Sequence, residues 1–399
     1  MSDLEAQLDS AQAKNTSAAD SADSSAGRRI FGNEFNPSIG IILNGAFSRF
    51  SAEESEFAGF GVGEEGERGS EGFALGESEL NFSANIDDKF YGSLTAAVVR
   101  EDGADIIELE EAYMKTLANA GLPNGLSVKA GRAFWTLGYL NEHHSHADDF
   151  ADRPLPYRVF LNSNYNDDGL EATYVLPFDF YSEIGGGMFR GDDYPFGGAD
   201  GEGVDAFSAF ARIGGDIGNN QSWRLGASML SGEAGERGAN EDSLTFTGDQ
   251  DLYIADARYT WAPTGNSQQQ EVLLQAEYFM RDEDGAYEDT QANSGLVNFD
   301  DQASGWYVQG VYKFLPQWRV GARYSLLEPA DVPAGLAGSA LDANGFEPET
   351  YGLMVDWTNS EFSRIRLQFN REELASDQQD NQVVLQYIVS LGAHAAHKY

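Results

Sequence analysis

Apolar and polar residues alternate with a period of two along most of the chain from Pro37 to its end. The clearest alternating segments are 79–86, 270–281, 305–314, 318–326 and 362–370. In the segment 318–326, aromatic and aliphatic residues share one face, whereas Arg319 and Arg323 lie on the other. This alternation predicts β-strands that have one apolar and one polar face.

Aromatic residues recur near the ends of the apolar faces. They are Tyr259, Trp261, Trp306, Tyr312, Phe314, Trp318 and Trp357. Such a girdle is expected where a lipid-facing wall meets the lipid headgroups. The pattern therefore favours strands whose apolar face points outward to lipid.

The connections between the predicted strands alternate between long and short. The long ones are 51–73, 135–167, 190–203, 232–250, 282–303 and 328–347, and the short ones are 86–88, 177–179, 218–220, 315–317 and 359–361. Short turns on one side and long loops on the other are typical of outer-membrane barrels. We predict an all-β, transmembrane antiparallel barrel of about 16 strands, with both termini on the short-turn side and an aqueous interior.

The first residues do not share this pattern. Leu4, Leu8 and Ala11 lie on one helical face, which predicts a short coiled coil, and residues 15–29 are rich in Ser, Ala and Asp. We therefore divide the chain into a periplasmic N-terminal extension, 1–34, and a barrel, 35–399. Barrels of this size commonly form trimers, so a homotrimer with a short three-helix bundle below the membrane is expected.

Composition narrows the choice of partners. The formal net charge of −40 would repel phosphate, which excludes nucleic acid as a natural partner. There is no cysteine, so disulfides and thiolate metal sites are excluded. The start, Met-Ser-Asp-Leu, does not resemble a signal peptide, and we expect a mature outer-membrane sequence with a new start methionine.

Charged residues on the predicted inner wall are divided by sign along the chain. Early strands contribute Glu77, Glu79, Glu108 and Glu110, and late strands contribute Arg258, Arg281, Arg319, Arg323, Arg364 and Arg366. Facing one another across a channel, these groups would create a transverse field that favours polar solutes. The alternative is that lumen positions are simply polar and some of them form salt bridges.

All five histidines fall in two clusters. His143, His144 and His146 lie in the connection 135–167 and are followed by Asp148 and Asp149, which together offer the ligands that Zn²⁺ prefers. Side chains two residues apart share a face of an extended chain, so His144 and His146 are the better pair. The alternative is a structural loop whose histidines form hydrogen bonds inside the barrel, since the segment is rich in apolar residues that would pack on the inner wall.

The second cluster, His394 and His397, is expected on the periplasmic side of the membrane. It cannot complete the same site as His143, His144 and His146, which the strand count places on the outer side. It is either a separate metal hand-off site or the polar end of the last strand.

Two further stretches of the sequence match patterns of known binding sites. Residues 61–66 match G-x-G-x-x-G but have no βαβ context, so a dinucleotide site is excluded. Asp282, Asp284 and Glu288 offer hard oxygen ligands for Ca²⁺ in an outer loop, or are a solvated acidic loop tip. No nucleophile and base can be paired, so no enzymatic activity and no required cofactor are expected.

Several stretches resemble a bacterial outer-membrane family that is described as zinc-regulated and often as TonB-dependent receptors. They are F-N-P-S-I-G-I-I-L-N-G at 35–45, G-Y-L-N-E-H-H-S-H-A-D-D-F-A-D-R-P-L-P-Y-R at 138–158, N-D-D-G at 166–169 and the terminal G-A-H-A-A-H-K-Y. The resemblance implies a porin-like protein associated with zinc supply, with the family's histidines at the five positions above. The receptor description does not fit, because such receptors need about 22 strands around a folded plug. The broader resemblance is to 16-stranded porins, including phosphate-selective ones with an N-terminal coiled coil.

Together these observations predict a passive channel for small hydrophilic solutes in the bacterial outer membrane, with divalent cations, zinc especially, as favoured cargo. The rival hypothesis is a non-conducting surface or adhesion barrel whose acidic loops bind divalent cations. In either case the expected partners are outer-membrane lipid and lipopolysaccharide.

Overall fold

The computed structural model describes residues 37–53, 55–101, 104–197, 203–360, 362–376 and 378–392. The predicted N-terminal extension and the pair His394 and His397 lie outside these ranges. The strands are β1 (Ser38–Arg49), β2 (Gly72–Leu75), β3 (Ser78–Asn85), β4 (Phe90–Glu101), β5 (Ala104–Thr116), β6 (Leu126–Phe134), β7 (Asn166–Val175), β8 (Tyr181–Phe189), β9 (Ala206–Ile217), β10 (Gln221–Ala239), β11 (Leu244–Trp261), β12 (Glu271–Asp289), β13 (Val297–Leu315), β14 (Trp318–Glu328), β15 (Glu349–Ser360), β16 (Ser363–Ala375) and β17 (Gln378–Gly392).

These strands form one closed antiparallel sheet. Each strand pairs with its neighbours in sequence, and β1 closes the sheet by pairing with β17 from Gly40↔Gly392 to Arg49↔Val383. The strands β2 and β3 lie end to end along β1, so they fill one position, and the described strands make a barrel of 16. The predicted fold is confirmed.

The barrel has an apolar outside and a polar inside. On β16, Ile365, Leu367 and Phe369 are 44%, 48% and 43% exposed, whereas Arg366 and Gln368 between them are buried. Large apolar residues exposed in this regular way are unfavourable in water and favourable against lipid. The period-two pattern in the sequence therefore corresponds to the lipid-facing and lumen-facing sides of the barrel wall.

Two predicted connections, 232–250 and 282–303, are wrong. Strands β10 and β11 are joined at 240–243, and β12 and β13 at 290–296, so the ladders continue through most of both segments. On β12 the outward face changes from apolar residues, ending at Met280, to Asp282, Asp284 and Glu288. The strands have left the lipid there, and their outer face meets water instead. The three acidic residues proposed to hold Ca²⁺ thus lie on a strand and not at a loop tip.

We call the outer ends of β10–β13 the overhang. Its inner face packs around a cluster of buried residues that includes Phe246, Tyr287 and Phe299. Leu336 and Leu341, from the connection 329–348 between β14 and β15, join the same cluster. Burial of this apolar surface explains why the strands stay paired beyond the membrane.

One short α-helix, α1 (Leu155–Phe160), lies in the connection between β6 and β7, and all six of its residues are buried. It contacts β12, β13 and β14. No helix in the described ranges has the length and hydropathy needed to cross a membrane.

The lipid-facing assignment can be tested on β16. An arginine at Leu367, near the middle of the outward face, should destabilise the barrel by roughly 2–4 kcal/mol, because its charge would enter hydrocarbon. Phe362→Arg, in the short turn before the same strand, is the matched control and should cost at most about 1 kcal/mol. The measurement is reversible urea unfolding in lipid vesicles; equal costs at the two positions would contradict a membrane-spanning β16.

Candidate functional site

The connection between β6 and β7, residues 135–165, folds into the barrel, and we call it the inward loop. Trp135, Leu137 and Phe160 from this loop are fully buried in one cluster with wall residues such as Leu252 and Phe279. Their burial against the inner wall confirms the expectation that this apolar segment packs inside the barrel. On the side of β9–β14 the lumen is thus filled by a packed core.

Polar contacts hold the start of the inward loop against the wall formed by β9–β14. The backbone N–H of Tyr139 and the hydroxyl of Tyr157 both donate to Glu277 Oε2 on β12, at 2.8 and 2.9 Å. Arg212 on β9 forms an ion pair with Glu142 at 2.7 Å. These contacts satisfy buried polar groups that would otherwise lack partners.

The middle of the loop is bound by four arginines of β14 and β16, which we call the arginine row: Arg319, Arg323, Arg364 and Arg366. Arg319 pairs with Asp149 at 2.7 Å, and Arg323 pairs with Asp152 at 2.7 Å. Arg366 donates to the carbonyl of Asp148 at 2.7 Å, and Arg364 donates to the carbonyl of His146. Every member of the row therefore contacts the segment 146–152.

These contacts correct two predictions. Asp148 and Asp149 do not join the histidines, because Asp148 pairs with Arg153 at 2.8 Å and Asp149 pairs with Arg319. The late-strand arginines do not line open water either. The loop covers the arginine row, and Arg281 is buried beside Glu283 and Phe160. The sixth arginine, Arg258, lies over the ring of Tyr139 in the loop, at 4.3 Å.

A cavity of about 710 Å³ remains between the inward loop and the wall formed by β1, β5, β16 and β17. Carboxylates dominate its charged lining. They are Glu65, Glu67, Glu77, Glu108, Glu110, Asp148, Asp152, Asp193 and Glu372, and the arginines are Arg68, Arg132, Arg153 and Arg158. With nine carboxylates to four arginines, the lining carries a negative excess. Three of the four predicted early-wall glutamates, Glu77, Glu108 and Glu110, line this acidic cavity.

At the edge of the cavity, two of the loop histidines meet the acidic wall. The rings of His144 and His146 stack with centroids 5.7 Å apart. The two histidines lie together as expected, but a 3₁₀ turn at Ser145–Ala147 joins them and not the extended chain on which the expectation is based. His144 Nδ1 lies 3.4 Å from both Glu79 Oε2 and Glu110 Oε2, and its Nε2 lies 3.0 Å from Glu111 Oε2. His146 Nδ1 lies 2.6 Å from Glu79 Oε1.

Glu111 is not among the site residues that the sequence predicts. In a regular strand, Glu110 and Glu111 would point to opposite faces. The β4–β5 ladder instead passes from Thr95↔Glu111 to Ala96↔Leu109, which leaves Glu110 as the extra residue of a β-bulge. The bulge turns both neighbouring carboxylates toward His144. No pattern of residue types in this stretch indicates the bulge.

His143 does not belong to the cluster. Its ring stacks on Tyr139, with centroids 4.8 Å apart, and its Nδ1 lies 2.9 Å from the Tyr139 carbonyl oxygen. Burial lowers the pKa of His143 to about 4, so this ring is neutral near pH 7. Burial also acts to lower the pKa of His144, but the carboxylates of Glu79, Glu110 and Glu111 outweigh it and raise that pKa well above 6.5.

Comparison by sequence finds one similar protein of undescribed function. A chain from Aquifex aeolicus (strain VF5), named only as an uncharacterized protein, is 28% identical over 405 aligned positions, which cover 92% of this chain and 80% of the relative. No protein-family model matches the chain.

Comparison by structure finds outer-membrane proteins. The outer membrane channel DcaP of Acinetobacter baumannii is 12% identical with a TM-score of 0.55, covering 89% of this chain and 97% of that one. An anion-selective porin from Comamonas acidovorans is 10% identical with a TM-score of 0.54 and coverages of 89% and 99%. The trimer form of OmpT from Vibrio cholerae is 12% identical with a TM-score of 0.53 and the same coverages.

At these identities the likeness establishes the fold, that of 16-stranded outer-membrane porins, and it supports the predicted location in a bacterial outer membrane. The zinc-regulated and TonB-dependent descriptions find no support among these three structures.

The attachment of the inward loop to the arginine row gives a testable prediction. The double variant Asp149→Asn and Asp152→Asn should loosen the segment 146–152 and lower the free energy of unfolding by about 3 kcal/mol. Arg323 would lose its charged partner where water is scarce, and Arg319 would keep only Asp356. Limited proteolysis should then cut within 143–152 faster than in the unmodified protein.

Asp192→Asn is the matched control, because Asp192 pairs with Arg190 in an exposed outer loop. Its effect should stay below about 1 kcal/mol. Unchanged protection of the loop in the double variant would show that apolar packing alone holds it.

Proposed function

We propose that this chain forms a passive, water-filled channel in the bacterial outer membrane for small hydrophilic solutes, and that it favours cations. The observation that carries the proposal is the acidic cavity beside the inward loop. The arginines that would attract anions are covered by the loop and paired, whereas the carboxylates of the opposite wall line the cavity. A ring of carboxylates at a constriction selects for cations.

Divalent cations, zinc among them, are the solutes that we propose to be favoured most. Carboxylates suit hard divalent ions, and the neighbouring imidazoles add the nitrogen ligands that borderline ions prefer. Permeation requires only modest binding, since an ion that is held too tightly would block the channel. The lining of the acidic cavity meets this requirement, because its carboxylates are spread over several elements.

A measurement of ion selectivity in planar lipid bilayers tests the proposal. The unmodified barrel should conduct and give a reversal potential that shows K⁺ to be more permeant than Cl⁻ in a salt gradient. In Glu108→Gln the permeability ratio of K⁺ to Cl⁻ should fall roughly four-fold. One charge about 10 Å from the permeating ion favours K⁺ by roughly 0.4 kcal/mol in water and disfavours Cl⁻ by the same amount.

Glu288→Gln is the matched control, since Glu288 lies on the outward face of the overhang. It should leave the reversal potential unchanged. Absence of conductance steps in the unmodified protein would defeat the channel and favour the surface-barrel hypothesis, whereas a Cl⁻ preference would defeat the cation assignment alone.

We also propose that the barrel assembles as a homotrimer. The trimer form of the similar Vibrio cholerae protein supports this proposal, and so does the helical face of Leu4, Leu8 and Ala11 in the sequence.

Mass determination in mild detergent, by light scattering with the detergent contribution subtracted, should give three chains per particle. Deletion of residues 1–34 should weaken this association if the extension contributes to it, and should leave the trimer intact if the barrel walls suffice. A monomer for the full chain across several mild detergents would contradict the proposal.

A further inference from the structure

Three ligand atoms from separate parts of the chain meet beside the acidic cavity. Glu79 comes from β3, Glu110 from the bulge of β5 and His144 from the inward loop, and their ligand atoms all lie within 4.8 Å of one another. Glu79 and Glu110 are only 2% and 7% exposed. Two buried carboxylates this close together repel each other unless a positive charge lies between them.

The spacing fits a bound ion better than it fits direct hydrogen bonds. The two distances of 3.4 Å from His144 Nδ1 to the carboxylate oxygens exceed the usual length of a hydrogen bond. They match the edge of a tetrahedron around Zn²⁺, which is about 3.3–3.4 Å for bonds of about 2.0–2.1 Å. Within the described residues, neither oxygen of Glu110 makes a hydrogen bond of ordinary length and angle, and its neighbours include His144 Nδ1 and the carboxyl group of Glu77.

The surrounding groups orient these ligands. His144 Nε2 lies 3.0 Å from Glu111 Oε2 and donates its proton there. A metal ion that binds at Nδ1 would displace the other ring proton to solvent and take up the lone pair directed at Glu79 and Glu110. A carboxylate that holds the remote nitrogen in this way is the usual support of a metal-bound histidine. The second oxygen of Glu79 is held in turn by His146 Nδ1 at 2.6 Å.

We propose that Glu79, Glu110 and His144 form a binding site for a borderline divalent cation of the Zn²⁺ class. Glu111 and His146 are positioning residues, and the fourth coordination position is open on the side of the cavity, which Glu110 and Ser145 line. The bound ion ties the inward loop to the acidic wall, opposite its attachment to the arginine row. This inference deepens the proposed function and rests on it for the ion's access from the cavity.

The test is calorimetric titration of the full-length refolded barrel with ZnCl₂ in detergent near neutral pH, in a His394→Ala, His397→Ala background that removes the terminal histidines. One ion per chain should bind. Glu110→Gln or His144→Ala should weaken binding at least 100-fold, and Glu111→Gln should weaken it roughly 10- to 100-fold.

His143→Ala is the matched control, because His143 lies next to a ligand in the chain but contacts Tyr139 instead. It should bind Zn²⁺ as the parent protein does. Heat-modifiable gel migration confirms that each variant is folded. Cobalt absorption gives a second readout, since Co²⁺ in the parent protein should show the intense visible bands of a tetrahedral site and Glu110→Gln should lose them.

Equal zinc binding by the His143→Ala and His144→Ala variants would overturn the site, as would absence of binding in the parent protein. In that case the cluster is a buried imidazolium held by carboxylates. Bilayer recording of the same preparations separates the two proposals. Conductance without zinc binding rejects the metal site only, and zinc binding without conductance rejects the channel only.

Discussion

The interior of this barrel is arranged around the four arginines of the arginine row, which face the lumen and require hydrogen-bond acceptors. A guanidinium is charged at every physiological pH, and its burial without an acceptor is strongly unfavourable. Asp149, Asp152 and carbonyl oxygens of the inward loop supply acceptors to all four arginines, and Asp356 on β15 supplies a further one to Arg319 and Arg366. The middle of the loop therefore lies against β14 and β16, which leaves the acidic cavity on the side of β1, β5 and β17.

The result is an interior of two unlike halves. On the side of β9–β14, aromatic and aliphatic residues of the loop and of α1 pack as in the core of a soluble protein. On the side of β1, β5 and β17, polar and acidic residues surround a cavity. The notion of glutamates and arginines facing each other across open water is thus replaced by a loop that lies between them, paired with the arginines and contacting the acidic wall through His144.

The parts of the fold that follow from local pattern could be predicted from sequence. Alternation along β14 and β16 identifies strands, because one face of each meets lipid and the other meets polar groups. The same reasoning failed for β10–β13, since a strand that has left the lipid is polar on its outward face and resembles a loop. It failed also for Glu111, whose direction depends on a bulge, and for Asp149, whose partner Arg319 lies 170 residues away in the chain. Asp148 pairs with the nearby Arg153, and residue types alone do not distinguish a carboxylate in such an ion pair from a metal ligand.

The overhang has a consequence for how the barrel responds to its surroundings. Strands β10–β13 pass from a stretch stabilised by contact with lipid to a stretch stabilised by burial of Phe246, Tyr287 and Phe299 away from water. Only the second stretch should contribute the large positive heat capacity of unfolding that accompanies exposure of apolar surface to water. One continuous ladder is thus stabilised by contact with lipid along one stretch and by burial of apolar side chains from water along the other. Its outer end can therefore open as a local unit while the stretch within the lipid stays paired.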